Sequence, residues 1–252
     1  MAKRYSTGCV SSYMAKCGVG PDLPFSTTSG SRFRFWYDLA GFQLFTRWEN
    51  GDVWGSDFRD GTDLAADGGS DVPEIYFYNG HGSCENPPTA TSGDFIIVCG
   101  NFGKPDTTNI GTSSRWGNGA GNLQFAFIDA SCPMDLVELP NAWFPAFDGL
   151  HMAVGHSGTV QHDTLNSLTR GGEFAALTAG LHAVFPWFFP ELAVGDAWMQ
   201  AGLIDVQSGV SAVAIAAGQD RSDAIDRREH EKVSDNRPNP TPNWFAWKWM
   251  TA

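Results

Sequence analysis

Long apolar runs are missing from this chain. None of its 252 residues lies in an uninterrupted hydrophobic stretch of the ~18 residues that a membrane-spanning helix requires. The nearest approach, Phe174 to Val194, is broken by His182, Glu191 and two prolines, and reads as a pair of buried helices. Basic residues are also scarce: 16 Lys and Arg stand against 28 Asp and Glu, for a net charge of −12. A phosphate backbone needs a positive patch, so nucleic acid is not an expected partner. The one cation-rich stretch, Arg227 to Lys232, is laced with acids and reads as a solvated segment. Cysteine is sparse and odd in number, five residues without framework spacing, which argues against a disulfide-stapled secreted scaffold. The first eight residues carry charge but no apolar segment follows them, so no export signal is expected. These absences predict a cytoplasmic protein with reduced thiols and no membrane partner. No internal repeat is visible, and no convincing pair of carboxylates for glycoside chemistry stands out.

What is present describes a globular chain. Hydrophobic residues make up 42% and charged residues 17%, in a length that allows one large domain with a buried core or two small ones. Short apolar runs recur from residue 73: Glu74–Tyr78, Phe95–Cys99, Leu123–Asp129 and Leu150–Val154, with a fifth at Ser211–Ala216. They are continuous rather than alternating, as for strands covered on both faces. Helices are expected at Gly172–Phe185 and Leu192–Leu203. Strands separated by helices or long crossovers predict an α/β fold with a mostly parallel sheet flanked by helices. Residues 1–70 read as an aromatic, loop-rich extension packed on the core, with a strand at Arg32–Tyr37 and a short helix from Asp38 to Phe45. Residues 71–235 form the core. Residues 236–252 form a Pro- and Trp-rich segment that docks Trp244–Trp249 on the body. The Gly- and Asn-rich stretch Gly100–Asn122 reads as a long loop, and its lone Lys104 and Arg115 are weak processing sites.

Two of the apolar runs end in reactive residues. Tyr76-Phe-Tyr-Asn79-Gly80-His81-Gly82 places an imidazole just past one strand, and Phe125-Ala-Phe-Ile-Asp129-Ala-Ser-Cys132 places a thiol just past another. Reactive groups of open α/β sheets collect at the carboxyl ends of strands. A thiol attacks as thiolate, and a nearby imidazole accepts its proton or pairs with its anion. The backbone N–H groups of Gly82 and Cys132 are candidate oxyanion donors. Asn79, Asp129, His156 and Ser157 lie at strand ends near the pair and are candidate substrate-binding residues. His151, early in its apolar run, reads as a satisfied core or edge histidine.

A strand followed by Gly-His-Gly, and another followed by Asp-Ala-x-Cys, resembles the cysteine peptidases of the caspase-like fold, the group of caspases, gingipains, clostripain and legumains. The stretch Gly149 to Gly158 is similar to the next sheet strand of that group. The resemblance covers roughly residues 70–217. It implies a caspase-like sheet in a single domain, His81 as general base and Cys132 as nucleophile, no cofactor and no metal, and a peptide or protein substrate. Two departures stand out. Members that cleave after basic residues carry an acid two positions before the cysteine, where this chain has Ala130. Asp129 is one step further back and points to the opposite face of its strand. Pro133, directly after Cys132, removes one backbone donor.

Other chemistries fit less of the pattern. An inactive caspase-like protein that binds a peptide or a partner protein is the main alternative. A zinc site built from His81, Cys84, Cys99 and Cys132 lacks a second closely spaced ligand pair. Cys9 and Cys17 read as spectators. Ten tryptophans suggest stacking platforms for sugars, although tryptophan is more often a packing residue.

Overall fold

A computed structural model describes residues 2–14, 18, 20–58, 69–83, 95–101, 104–117, 121–134, 136, 143–161, 167–204 and 209–251. Its centre is a seven-stranded sheet. In chain order its strands are β1 (Arg4–Cys9), β2 (Gln43–Glu49), β3 (Ile75–Asn79), β7 (Phe125–Asp129), β8 (Met152–Ser157), β9 (Ser211–Gly218) and β10 (Trp244–Thr251). Across the sheet the order is β10-β9-β8-β7-β3-β1-β2. The five strands from β2 to β8 run parallel, while β9 and β10 each pair antiparallel with the preceding neighbour. A second sheet holds the short antiparallel strands β4 (His81–Ser83), β5 (Phe95–Asn101) and β6 (Lys104–Asn109).

The continuous apolar sequences of β3 and β7 follow from their position. Every residue of IYFYN and of FAFID is buried, because the sheet is covered on both faces. Alternation then sorts the side chains. Tyr76, Tyr78, Ala126 and Ile128 join one cluster with Trp116 and Trp143. Ile75, Phe77, Phe125 and Phe127 join another with Phe33, Phe174 and Trp198. The second cluster is roofed by helices α1 (Ser26–Leu39), α3 (Ser167–Ala175) and α5 (Val194–Ile204). Between β6 and β7 lies the single turn α2 (Ile110–Ser113), and α6 (Arg221–His230) links β9 to β10. A π-helical stretch, Ala176–Gly180, connects α3 to the short α4 (Leu181–Val184). Glycines set the distance between α1 and α3. A Cβ on Gly171 would press on Ser29, one on Gly172 on Arg32, and one on Gly180 on Trp36.

Several segments differ from the sequence reading. Arg32–Tyr37 is helical, not a strand: Ser26, Ser29, Gly30, Phe33, Arg34 and Tyr37 are the buried residues of α1, a 3.6-residue stripe. The helix expected from Asp38 to Phe45 gives way to the end of α1 at Leu39 and the start of β2 at Gln43. The 1–70 segment is not an appended extension, since β1 lies inside the sheet, paired with β2 on one side and β3 on the other. The 236–252 segment likewise supplies β10, hydrogen-bonded along β9. The run at Phe95 is a strand, but it belongs to the small antiparallel sheet. The stretch read as a Gly100–Asn122 loop contains β6 and α2. Among the described residues, no helix is long and apolar enough to cross a membrane.

Candidate active site

The order of the sheet reverses at β1. From there the chain moves outward to β2 and then back past β1 to β3, so a topological switch point lies between β1 and β3 at the carboxyl edge. His81 stands just past the end of β3 at that edge. Its ring packs on Tyr13, centroids 4.3 Å apart, and its Nε2 lies 2.8 Å from the carbonyl oxygen of Pro21. Both partners come from the segment after β1. A carbonyl oxygen only accepts, so Nε2 carries the proton and Nδ1 is the basic atom of the neutral ring. The His81 backbone N–H donates to the Tyr13 hydroxyl at 2.7 Å. Partial burial lowers the His81 pKa below 6.5, opposed in part by the Pro21 hydrogen bond. The imidazole is therefore neutral near pH 7, as a base must be.

Strand pairing brings the thiol motif alongside. Asn79 at the end of β3 is in register with Asp129 at the end of β7. Gly82 lies so close to the Ser131 carbonyl that a Cβ there would overlap its oxygen and sit 3.0 Å from its carbon. The histidine and cysteine turns are thus in direct backbone contact, with glycine a steric requirement. The cysteine turn is also tied to the end of β8. Cys132 N–H donates to Gly158 O at 2.9 Å, and Met134 N–H donates to His156 O at 3.0 Å. Ser131 Oγ accepts from Val160 N–H and donates to Val160 O, each at 3.1 Å. Held this way, Cys132 adopts φ +53°, in the left-handed region that non-glycine residues seldom visit. Such strain persists only where surrounding structure over-determines it, and it collects at functional sites.

Cys132 is joined to another cysteine by a disulfide, whose second sulfur lies outside the described side chains. It is 4% exposed. The expectation of five reduced thiols therefore fails for this residue, and a bonded sulfur is no thiolate ligand for the zinc set considered above. Among the described residues no group of three His, Cys, Asp or Glu side chains is placed to hold a metal ion. Cys84 and Cys17 lie outside the described residues. Cys9 is free and buried, and burial pushes its thiol up to about 12, so it is inert, as a spectator should be.

The candidate substrate residues divide. Ser157 is half-buried at the edge of β8. Asn79, Asp129 and His156 are buried on the helical face and bind one another instead of facing solvent. Asp129 accepts from Arg170 Nε at 2.9 Å and from Asn79 Nδ2 at 2.5 Å, and His156 Nε2 lies 3.3 Å from it. The His156 ring packs on Trp198, whose indole N–H donates to Gly155 O at 2.7 Å. Direct substrate contact by these three is corrected to a supporting role: they brace the ends of β3, β7 and β8 from below. The Cys132 N–H, read as an oxyanion donor, is already committed to Gly158. His151 sits at the opposite end of β8, where Glu231 Oε1 is 2.6 Å from Nδ1 and Asn239 Oδ1 is 3.1 Å from Nε2. That is the satisfied core histidine expected.

Sequence reasoning missed Tyr13, Pro21 and Arg170. The run Gly18-Val-Gly-Pro21 carries a turn signal that could have marked the loop. Nothing in the sequence marks a buried arginine on α3.

Residues 18–250 match the family described as a domain of unknown function, DUF6345, and the chain belongs to that family. No curated protein matches the chain.

Proposed function

We propose that this protein is a cysteine-dependent hydrolase or acyl transferase acting on a peptide or amide bond, of caspase-like type, with Cys132 as nucleophile in its reduced form and His81 as acid and base. The observation that carries the reading is the His81 ring: desolvated, locked in one tautomer by the Pro21 carbonyl, and set on a turn whose backbone touches the turn of a strained cysteine. In the reaction, His81 Nδ1 takes the thiol proton and the thiolate attacks the carbonyl carbon. The Gly82 N–H is the candidate donor to the growing oxyanion. His81 then gives its proton to the leaving amine, which departs as the thioester forms. Water hydrolyses that thioester, or an amine carries the acyl group away. The mostly parallel sheet, with both motifs at adjacent strand ends, supports the caspase-like resemblance. Basic-residue specificity is not part of the proposal, because Ala130 offers no charge and Asp129 is neutralised by Arg170.

The alternative, an inactive protein that binds a peptide or partner protein, is favoured by the Cys132 disulfide and by the occupied Cys132 N–H. The two readings separate in one experiment. The reduced protein and its His81→Ala variant are treated with iodoacetamide, and the rate at Cys132 is followed by mass spectrometry. An activated nucleophile reacts about tenfold or more faster in the wild type, since the imidazole raises the thiolate fraction. Equal rates overturn the enzyme.

A further inference from the structure

We infer that the Cys132 disulfide is a redox latch on this site, holding the protein inactive until a dithiol reduces it; the inference rests on the acyl-transfer reading above. A nucleophilic cysteine must be a thiolate and must be reachable. In this structure Cys132 is neither, because its sulfur is bonded to another sulfur and the residue is 4% exposed. The bond by itself withholds the thiolate, which is the condition the chemistry cannot do without.

A purely structural staple is a poor explanation for the bond. Stapling substitutes for a core that a small domain cannot build. This chain buries an aromatic-rich cluster on each face of its central sheet, with Trp116 and Trp143 in one and Phe127, Phe174 and Trp198 in the other. The turn that carries Cys132 is also held without the bridge, through Cys132 N–H to Gly158 O, Met134 N–H to His156 O, and the paired Ser131–Val160 hydrogen bonds. The bridge instead falls on the strained residue, φ +53°, beside the histidine turn. Opening it leaves that turn tied in place, with the freed thiol on the turn that touches the histidine motif through Gly82. Cys9, the free cysteine, is buried between β1 and α1 and takes no part.

The chemistry balances with one co-reactant. A dithiol attacks the disulfide, the mixed disulfide is resolved by the second thiol of the reductant, and the reductant leaves oxidised and cyclised. Two electrons and two protons pass to the protein, giving Cys132-SH and its partner thiol. Air or a disulfide oxidant reverses the step.

The test uses the full chain purified without reductant. Cys132 is expected in a disulfide-linked peptide pair in a non-reducing digest, with no labelling by iodoacetamide. After dithiothreitol its labelling should rise by at least about tenfold, the gain expected when a thiolate replaces a disulfide sulfur. A circular-dichroism spectrum unchanged by the reductant shows that the fold survives. Cys17, Cys84 and Cys99 are also replaced by serine one at a time. One of these variants should show fast labelling at Cys132 without any reductant. If Cys132 of the untreated protein labels as fast as after reduction, or if no serine variant frees it, the latch is refuted while the acyl-transfer reading stands. If reduction frees Cys132 but its rate is the same in the His81→Ala variant, the acyl-transfer reading is refuted, and the bridge guards no nucleophile.

Discussion

Gly82→Ala is the sharpest test of the packing between the two motif turns. A Cβ at this position would overlap the Ser131 carbonyl oxygen and lie 3.0 Å from the carbonyl carbon and 3.2 Å from Ala130 Cβ. Carbon–carbon contacts are comfortable at ~3.5–4.0 Å and the overlap with the oxygen is tighter than either carbon contact, so the two turns must separate by about 1 Å or more. Neither side yields easily. Gly82 is paired with Ile96 in the small sheet, and Ser131 is anchored to Val160 on both of its hydrogen-bonding sides. Overpacking of this kind costs about 1–3 kcal/mol. In a chain of this size that lowers Tm by about 2–4 °C for each kcal/mol. The chemistry should suffer more than the fold, because a ~1 Å misplacement of reacting groups costs about 10²-fold in rate. The assay is alkylation of Cys132 in the reduced protein, followed in parallel with thermal unfolding. A variant that keeps both the wild-type labelling rate and the wild-type Tm would refute the claim that the histidine and cysteine turns are in contact through Gly82.

Three further outcomes follow from the same geometry. Arg170→Met removes the guanidinium from the buried Asp129 carboxylate and should cost about 3–5 kcal/mol, the usual penalty for orphaning one member of a buried ion pair; a loss under about 1 kcal/mol in urea unfolding would contradict it. Tyr13→Phe deprives the His81 N–H of its acceptor and should lower stability by about 1–3 kcal/mol, with a slower Cys132 labelling rate in the reduced protein; unchanged values in both would remove Tyr13 from the site. His81 has a folded pKa below its unfolded 6.5, so the unfolded chain binds the proton first as pH falls. Its contribution to stability is complete above pH 6.5 and declines below it, levelling once the folded group also protonates. The Tm of His81→Asn should therefore fall less than that of the wild type between neutral and acidic pH, and parallel curves would count against the burial of this ring.

Particular residues show how far sequence reasoning reaches. The doubly buried strands β3 and β7, like β8 and β9, were legible because burial on both faces leaves an uninterrupted apolar run. His81 and Cys132 were legible because each terminates such a run, and chain ends of parallel strands are where chemistry gathers. By contrast, β1 reads Arg-Tyr-Ser-Thr-Gly-Cys, and its position inside the sheet is invisible locally. Its Ser6 and Thr7 are buried because partners elsewhere satisfy them: Ser6 Oγ bonds the Thr46 hydroxyl and Thr7 Oγ1 accepts from Arg34. The Arg32–Tyr37 stretch alternates like a strand over six residues, and only the longer spacing from Ser26 to Tyr37 reveals a helix.

The sequence alone thus determined the class of fold and the two residues that carry the proposed chemistry, since both are written in local pattern and strand-end position. Tertiary structure decided the rest. Asp129 became a buried brace through an arginine 41 positions away, and His81 received its tautomer from a carbonyl 60 positions away. The bond on Cys132 was likewise outside the reach of spacing. Each is a pairing between distant segments, and only the folded chain brings those segments together.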